Sequence, residues 1–533
     1  MSSLSHSGIQ KDTIWILLFI VALLAVGFLG FYEIGRESLW TDEAISVFRS
    51  QQSLSELIVY VFSDPIGARP LYWFALQGWM ALFGTSEVAL RSLSVLFGIT
   101  SIWLLFQLGR VLFGIQVAAV ASFLLATSAI FVWYMQEARM YTLLVMMTLL
   151  SYLLYVRILQ GAEGLKAWVM YLLSALGTIL AHQVGILVFA SQIAHYALFH
   201  MDRRFISRNL KYIAIAATVV LVLFILSSHR ILTEFAISPE AFMHPYVLNF
   251  HTILGNYVVG MHTWYPSANP WPVVLVGLFS FFFVLGCLQL PWFRSLARSV
   301  LPFAEEKKAH SSPESNYSVA MLLIWVLFAT IIAWIGTGLT HLWQIRYTLA
   351  GMPAFLLLTS LGLVQLMKWK EKWGLFAGAV GLSLMLILNS SSLYSYYTTS
   401  KKPEFRQAAA ALLEMQEKMP LTIYGFSTDS GSPMRYYGVS EIHYLESLSL
   451  WISWFKPEDV ENSVNALKQI AGQEQTFALV VADHPHPRCE CVDLKMVMEK
   501  YAKRLAPQAV LLWAKGFYRV WVGVFQGTSH GDG

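Results

Sequence analysis

The chain has 533 residues, of which 56% are hydrophobic and only 13% are charged, and its formal net charge is +4. This composition supplies too little polar surface to cover a soluble protein of that length, so it indicates a membrane protein. The net charge is small for the length and does not indicate a nucleic-acid partner. Three cysteines exclude a scaffold held together by disulfides.

Apolar runs that approach the length of a bilayer span recur along most of the chain. A spanning helix needs roughly 20 mostly apolar residues, and we count about eleven such runs. They cover residues 13–32, 89–109, 116–133, 141–158, 168–181, 185–199, 212–226, 271–290, 319–336, 347–367 and 373–394. The first run is long enough to remain as an uncleaved helix. The sequence therefore predicts an α-helical polytopic membrane protein with about eleven transmembrane helices.

The positions of Lys and Arg predict the orientation, because short cytoplasmic loops carry an excess of both. With the N-terminus inside, most basic residues fall in inside loops, and the short outside loops hold only Arg139, Arg230 and Arg346. An odd number of spans then places the C-terminal segment outside. We expect an integral protein of the plasma (inner) membrane.

Two predicted outside regions are too long to be simple connectors. Residues 33–88 form the first, and their apolar runs 54–62 and 71–83 are too short to span, which favours helices lying along the interface. The second, residues 395–533, has a globular composition with an amphipathic helix over 403–415 and strands within 421–426, 477–482 and 511–525. The sequence thus predicts a membrane domain over residues 1–394 and a small external α/β domain over residues 395–533.

Two adjacent acids, Asp42 and Glu43, follow the first span by a few residues. Charges near a membrane are costly unless they are exposed, paired or functional. At this position two carboxylates lie within reach of a lipid headgroup. The alternative is structural, with Thr41 or Asp42 capping an interfacial helix whose N-terminal dipole favours acids.

Three arginines depart from the inside bias of basic residues. Arg69 precedes a proline that can open a helix, Arg139 lies in the turn between the third and fourth runs, and Arg346 opens the tenth. A guanidinium group matches phosphate oxygens, so each arginine is a candidate phosphate ligand. Snorkelling to lipid headgroups is the alternative for Arg69, and an ion pair with Glu137 is the alternative for Arg139. Arg346 with Tyr347 also fits an interfacial aromatic belt.

Histidines and cysteines give weaker signals. His182 lies in the turn between the fifth and sixth runs, where a lone histidine is more often a structural hydrogen-bond partner than a ligand contact. His484, His486, Cys489 and Cys491 offer zinc ligands, although an ordinary surface loop is the favoured interpretation of this proline-rich run. A nucleotide-binding fingerprint is absent from the sequence, which argues against a nucleotide-sugar donor.

Taken together, these motifs resemble the GT-C superfamily, in particular its protein O-mannosyltransferase-like and aminoarabinose-transferase-like glycosyltransferases. Five motifs occur in the matching order. They are Trp-Thr-Asp-Glu-Ala after the first span, Arg-Pro-Leu-Tyr-Trp from residue 69, Leu-Phe-Gly-Thr-Ser-Glu-Val-Ala-Leu-Arg-Ser before the second span, Gln-Glu-Ala-Arg-Met-Tyr from residue 136, and Arg-Tyr-Thr-Leu-Ala-Gly-Met-Pro from residue 346. Many relatives have two prolines where a single proline follows Arg69.

The resemblance implies a GT-C fold and a glycosyltransferase that moves a hexose or a pentose from an undecaprenyl- or dolichyl-phosphate donor. It implies that Asp42 is the catalytic carboxylate, with Glu43 beside it. The resemblance places Arg139 and Arg346 where lipid-phosphate contacts are expected, and Arg69 where relatives have a basic residue or His. The full set of candidate substrate-binding residues is Arg69, Tyr72, Arg139, Tyr141, His182, Arg346 and Tyr347. The acceptor is a hydroxyl on a lipid, a protein or a glycan, on the external face. Metal dependence varies across the superfamily, so no metal ligand is carried over and a divalent metal stays possible as cofactor.

One carboxylate and several cations suit an inverting displacement. The carboxylate acts as general base on the acceptor hydroxyl, and the departing lipid phosphate gains negative charge that arginines stabilise. A retaining enzyme needs a second carboxylate as nucleophile, and adjacent residues such as Asp42 and Glu43 seldom flank one bond from opposite faces. The alternatives are a transporter or lipid-handling membrane protein and, among enzymes, a lipid-linked oligosaccharide ligase.

Overall fold

The computed structural model describes residues 6–63, 69–162, 164–200, 271–288, 313–332, 345–369, 372–400, 402–425, 428–444, 476–482, 509–517 and 520–527, with residues 214, 218, 255, 257–258, 290, 465, 468–471 and 503. The chain divides into two compact units. The first consists of Met1–Tyr32, Ser53–Gly84 and Ala89–Tyr397, and the second of Glu33–Gln52, Thr85–Val88 and Thr398–Gly533. The second unit therefore takes in two segments from the predicted first outside loop.

Helices dominate the described residues. In chain order they are α1 (His6–Phe31), α2 (Thr41–Ser50), α3 (Leu54–Ser63), α4 (Pro70–Phe83), α5 (Glu87–Phe113), α6 (Ile115–Ala126), α7 (Ala129–Met135), α8 (Tyr141–Leu159), α9 (Leu165–Ala181), α10 (Gly185–Phe199), α11 (Trp271–Cys287), α12 (Pro313–Val326), α13 (Met352–Lys368), α14 (Lys372–Thr398), α15 (Phe405–Lys418) and α16 (Thr428–Tyr436). A π-helix, Leu327–Ile332, follows α12, and a 3-10 helix, Ile345–Gly351, leads into α13.

The first unit is built from apolar helices. Among the described residues, five stretches are long and apolar enough to cross a membrane, and they correspond to α1, α5, α8, α13 with its 3-10 extension, and α14. The pair α6 and α7, bent by 64° at Thr127 and Ser128, gives a sixth. Four shorter apolar helices lie in α9, α10, α11 and α12. The chain is a multi-pass membrane protein, as predicted. The predicted run at 212–226 lies outside the described residues.

Two glycines allow α11 and α13 to approach closely. A Cβ atom added to Gly286 would meet the backbone carbonyl of Leu358, and one added to Gly362 would meet the carbonyl of Phe282. Backbone atoms cannot move aside as a flexible side chain does. Small residues at such contacts are typical of helix pairs in membranes, where packing rather than water exclusion drives association.

The second unit contains a five-stranded sheet. Its strands are β1 (Thr422–Gly425), β2 (His443–Tyr444), β3 (Thr476–Ala482), β4 (Ala509–Phe517) and β5 (Val520–Gly527), in the order β2-β1-β3-β5-β4. β1 pairs in parallel with β2 and β3, whereas β5 is antiparallel to β3 and β4. Helix α15 packs on the sheet through Phe405, Ala408 and Leu412. The predicted small α/β fold is confirmed, and the apolar region 511–525 forms two strands of a hairpin.

Substitution of Gly286 tests the contact between α11 and α13. Gly286→Leu forces the two backbones apart, and we expect it to lower the free energy of unfolding by roughly 1–3 kcal/mol, as overpacking does. Gly277→Leu on the same helix is the control, since nothing lies within 4 Å of an added Cβ there. Thermal unfolding of the purified protein in detergent measures both. Equal melting temperatures for the two variants would contradict the close contact.

Candidate active site

The acidic motif lies in the first turn of α2, in the second unit. Trp40 is the N-cap residue, with extended backbone, so neither Thr41 nor Asp42 takes that position. The carboxylate of Glu43 accepts the backbone N–H of Trp40 at 3.4 Å, which satisfies one donor at the helix start. Both acids benefit from the positive end of the helix dipole.

Asp42 and Glu43 differ in their surroundings. Asp42 is partly exposed, whereas Glu43 is completely buried. The carboxylate of Glu43 forms an ion pair with the ammonium of Lys402 at 3.0 Å, and the Lys402 side chain is only 7% exposed. The two carboxylates therefore have different chemistry available to them. The Asp42 side chain reaches solvent in part, while Glu43 is held inside the unit.

The loop that leads to α2 is fixed by a second polar network in the same unit. The guanidinium of Arg406 donates to the carboxylate of Glu87, with Nε at 3.2 Å from Oε1, and to the carbonyl of Gly35 at 3.0 Å. The hydroxyl of Tyr437 donates to Glu87 and accepts the backbone N–H of Leu39 at 2.6 Å. Burial, with the hydrogen bond to Glu87 and its charge, raises the pKa of Tyr437, so the phenol stays protonated and able to donate.

Three arginines of the first unit gather around His182. The imidazole is fully buried, and its pKa is well below the ordinary value because of burial first and then the positive charges of Arg69, Arg139 and Arg346. Arg69 is 8% exposed, and the other two arginines are partly buried. The structure brings these residues together from regions far apart in the chain.

Each of the three arginines lies where a helix begins. Arg69 is the N-cap residue of α4, and Arg139 precedes Met140, the N-cap residue of α8. His182 stands between α9 and the start of α10, and Arg346 lies in the 3-10 helix before α13. Helix starts carry partial positive charge and unsatisfied N–H groups, which favour anions. The backbone therefore adds to the positive potential that the arginines provide.

Aromatic rings line this cluster. The guanidinium carbons of Arg139 and Arg346 lie 5.9 Å and 5.8 Å from the ring centroid of Tyr141. The His182 ring lies 6.0 Å from that of Tyr141 and 5.0 Å from that of Tyr347. Cations over an aromatic face are held by its quadrupole, so Tyr141 orients both guanidinium groups.

Tyr72 supports the cluster through a hydrogen-bonded chain. Its buried hydroxyl lies 3.1 Å from the hydroxyl of Ser94, which donates to the backbone carbonyl of Arg139 at 3.1 Å. This chain ties α4 and α5 to the turn before α8. The structure therefore gives Tyr72 a contact that fixes the backbone of Arg139.

The hydrogen bonds of His182 fix its tautomer. The backbone N–H of Val184 donates to Nδ1 at 3.3 Å, so the proton of the neutral ring lies on Nε2. Within the described part of the chain, this buried Nε2 has no hydrogen-bond partner. A neutral donor next to three cations is suited to a phosphate or hydroxyl oxygen.

Gln136 begins one of the sequence motifs and was given no role there, but the structure makes it a positioning residue. Its amide nitrogen donates to the carbonyls of Leu29, Gly30 and Tyr32 at 3.0, 3.2 and 2.7 Å, and its amide oxygen accepts the hydroxyl of Tyr396 at 2.7 Å. The end of α1 and the end of α14 are thus joined to the turn that carries Arg139. A neutral side chain leaves no charge signal by which to find it.

Glu137 also fixes this turn, through its side chain and its backbone carbonyl. Its side chain accepts the indole N–H of Trp133 at 2.7 Å, and its backbone carbonyl accepts the N–H of Arg139 at 2.7 Å. Both contacts keep the turn compact and orient the segment toward α8.

Among the described residues, no group of three or more His, Cys, Asp or Glu side chains has the arrangement of a metal site. His484, His486, Cys489 and Cys491, the candidate zinc ligands, lie outside the described residues.

Comparisons with known proteins identify the fold. Residues 65–228 match the family model described as dolichyl-phosphate-mannose-protein mannosyltransferase. The structure of ArnT from Cupriavidus metallidurans bound to undecaprenyl phosphate superposes with a TM-score of 0.54, at 12% identity over 96% of this chain and 98% of that one. The chain has the GT-C fold. The resemblance drawn from its motifs is confirmed.

A second GT-C structure supports the same conclusion. The archaeal oligosaccharyltransferase AglB from Archaeoglobus fulgidus, in complex with an inhibitory peptide and a dolichol-phosphate, superposes with a TM-score of 0.53. The identity is 13%, over 88% of this GT-C chain and 69% of AglB. A comparison with curated protein sequences gave no match. At these identities the structures show the fold, and the family model covers the segment that holds Arg69, Arg139 and His182.

The state of His182 predicts a pH dependence of stability. In the unfolded chain an imidazole titrates near pH 6.5, roughly its ordinary value. The pKa of His182 is lower in the folded protein. Below about pH 6.5, therefore, the unfolded state binds a proton that the folded state does not bind, and the free energy of unfolding falls. Asn keeps an acceptor near the position of Nδ1 but does not titrate.

The measurement is thermal unfolding of wild type and His182→Asn in detergent between pH 5 and pH 8. We expect wild type to lose more stability on acidification, with a difference of at most about 1.4 kcal/mol per pH unit. Other histidines are common to both proteins and cancel. Parallel pH profiles for the two proteins would contradict a neutral His182.

Proposed function

We propose that this GT-C chain is an inverting glycosyltransferase that moves a sugar from a polyprenyl phosphate, undecaprenyl or dolichyl, to an acceptor hydroxyl on the external face of the membrane. The observation that carries the proposal is the gathering of Arg69, Arg139 and Arg346 around His182. Planar guanidinium groups bind phosphate oxygens with two parallel hydrogen bonds, and helix starts add N–H donors. The ligands named for ArnT and AglB, undecaprenyl phosphate and dolichol-phosphate, are of this chemical class.

The phosphate of the donor changes charge during the reaction. In the donor it is a diester with one negative charge, and it departs as a monoester that takes the electron pair of the broken glycosidic bond. The arginines stabilise this additional charge as it develops, which lowers the barrier without a proton donor. The neutral Nε2–H of His182 adds a hydrogen bond and no charge. Tyr141 and Tyr347 hold the surrounding cations and ring in place.

Asp42 supplies the base. As the acceptor oxygen attacks the anomeric carbon, the carboxylate of Asp42 takes the hydroxyl proton, and the bond to the phosphate breaks on the opposite face. Its partial exposure fits this role. Glu43 is buried and paired with Lys402, so it is not available as the nucleophile that a retaining mechanism needs. We therefore favour inversion and assign Glu43 to positioning.

The main alternative is a transporter, which would move a solute without forming a glycosidic bond. Transporters place ionisable groups near the middle of broken spans, whereas Arg69, Arg139 and Arg346 lie at helix starts. No described contact specifically favours transport over transfer.

The decisive variant is Asp42→Asn, which removes the base but keeps the size of the side chain. With radiolabelled polyprenyl-phosphate sugars and purified membranes, we expect turnover to fall about 10²- to 10⁴-fold with donor affinity unchanged. Asp12→Asn, in the exposed start of α1, is the matched control and should behave as wild type.

Full transfer by Asp42→Asn would reject the catalytic assignment. Movement of an unmodified solute by wild type, without a new glycosidic bond, would reject the glycosyltransferase function in favour of transport.

A further inference from the structure

The buried ion pair between Lys402 and Glu43 joins two distant parts of the chain within the second unit. Lys402 lies between α14 and α15, and Glu43 lies in the first turn of α2, 359 residues earlier. The ammonium and carboxylate are 3.0 Å apart, and their side chains are 7% and 0% exposed. A buried pair of this kind depends on both partners, since removing one leaves a charge without water or counter-ion.

Glu43 links Lys402 to the backbone that carries the proposed base. One carboxylate oxygen of Glu43, Oε2, accepts both the Lys402 ammonium and the backbone N–H of Trp40. Asp42 lies between Trp40 and Glu43, in the same helical turn. A shift of Glu43 would therefore move the backbone on both sides of Asp42. The pair acts on the position of this carboxylate and needs no contact with substrate.

The segment after Lys402 strengthens the same support. The backbone N–H of Arg406 donates to the hydroxyl of Ser38 at 3.2 Å, and the Arg406 side chain binds Glu87 and Gly35. These contacts also fix the loop before Trp40. Lys402 itself contacts the acidic turn, through the carboxylate of Glu43.

We propose that Lys402 is a positioning residue for glycosyl transfer, which acts through its buried ion pair with Glu43 to hold the first turn of α2 and thereby the carboxylate of Asp42. The inference rests on the proposed function. The segment that follows α14 then contributes to the reaction by positioning Asp42. It also explains why an acid next to the base is buried.

The first test compares Lys402→Met, Lys402→Arg and wild type in the radiolabelled transfer assay. We expect Lys402→Met to lower kcat about 10- to 100-fold, because a small displacement of a reacting group has effects of this size. Donor affinity should stay within about twofold, since Lys402 acts on the base, and Lys402→Arg should recover most of kcat because it keeps the charge. Lys418→Met, which removes an exposed ion pair with Glu414, is the matched control and should leave kcat unchanged.

The second test separates positioning from simple charge neutralisation. Lys402→Met leaves Glu43 buried and charged, whereas the double variant Glu43→Gln with Lys402→Met removes both charges. We expect the double variant to regain thermal stability while kcat stays low, because the rigid link to α2 is still lost. Recovery of kcat together with stability would overturn the proposal, and so would full kcat in stably folded Lys402→Met.

The two proposals fail in different ways. If wild type forms no glycosidic bond from any polyprenyl-phosphate sugar, the glycosyltransferase function fails and Lys402 has no transfer reaction to support. If wild type transfers sugar and Lys402→Met does so equally well, only the positioning role of Lys402 fails.

Discussion

In the first unit, the positive charges of Arg69, Arg139 and Arg346 gather around His182. Three guanidinium groups come from the starts of different helices, and the imidazole among them stays neutral because burial and like charge both oppose its protonation. Charges of one sign repel in a medium of low dielectric, so such a cluster suits a multiply charged anion. The other polar contacts of this region, through Tyr141, Ser94 and Gln136, keep the helix starts in place around it.

The acidic turn of the second unit has a different role in the proposed reaction. A base must keep its carboxylate ionised, reachable and correctly aimed, and a short helix at the end of a loop does not ensure this by itself. In the proposed reaction, these tasks fall to neighbouring residues. Asp42 remains partly exposed, while the carboxylate of Glu43 accepts the backbone N–H of Trp40 and pairs with the ammonium of Lys402. Arg406 and Tyr437 hold the preceding loop through Glu87.

Charge placement in the sequence was enough to find the arginines, since few cations occur in the predicted outside loops. Lys401 and Lys402 are also basic residues on the predicted outside, shortly after the last predicted span. They were assigned to the external domain and so were not considered as site residues. The ion pair itself was beyond prediction, because its partners are 359 residues apart and no local pattern connects them. Gln136 was missed for a different reason, since it is neutral and its partners are backbone carbonyls. Local periodicity predicted β1, β3 and the region of β4 and β5, but neither the short strand β2 nor the reversal between β4 and β5.

We propose that the arginine cluster binds the phosphate of a polyprenyl-phosphate donor. An experimental structure of the protein in lipid nanodiscs with undecaprenyl phosphate tests this binding. We expect the phosphate to lie within hydrogen-bonding distance of the guanidinium groups of Arg69, Arg139 or Arg346, and the Nε2–H of His182 to donate to one of its oxygens. A lipid phosphate bound elsewhere, with this cluster unaltered and unoccupied, would contradict it.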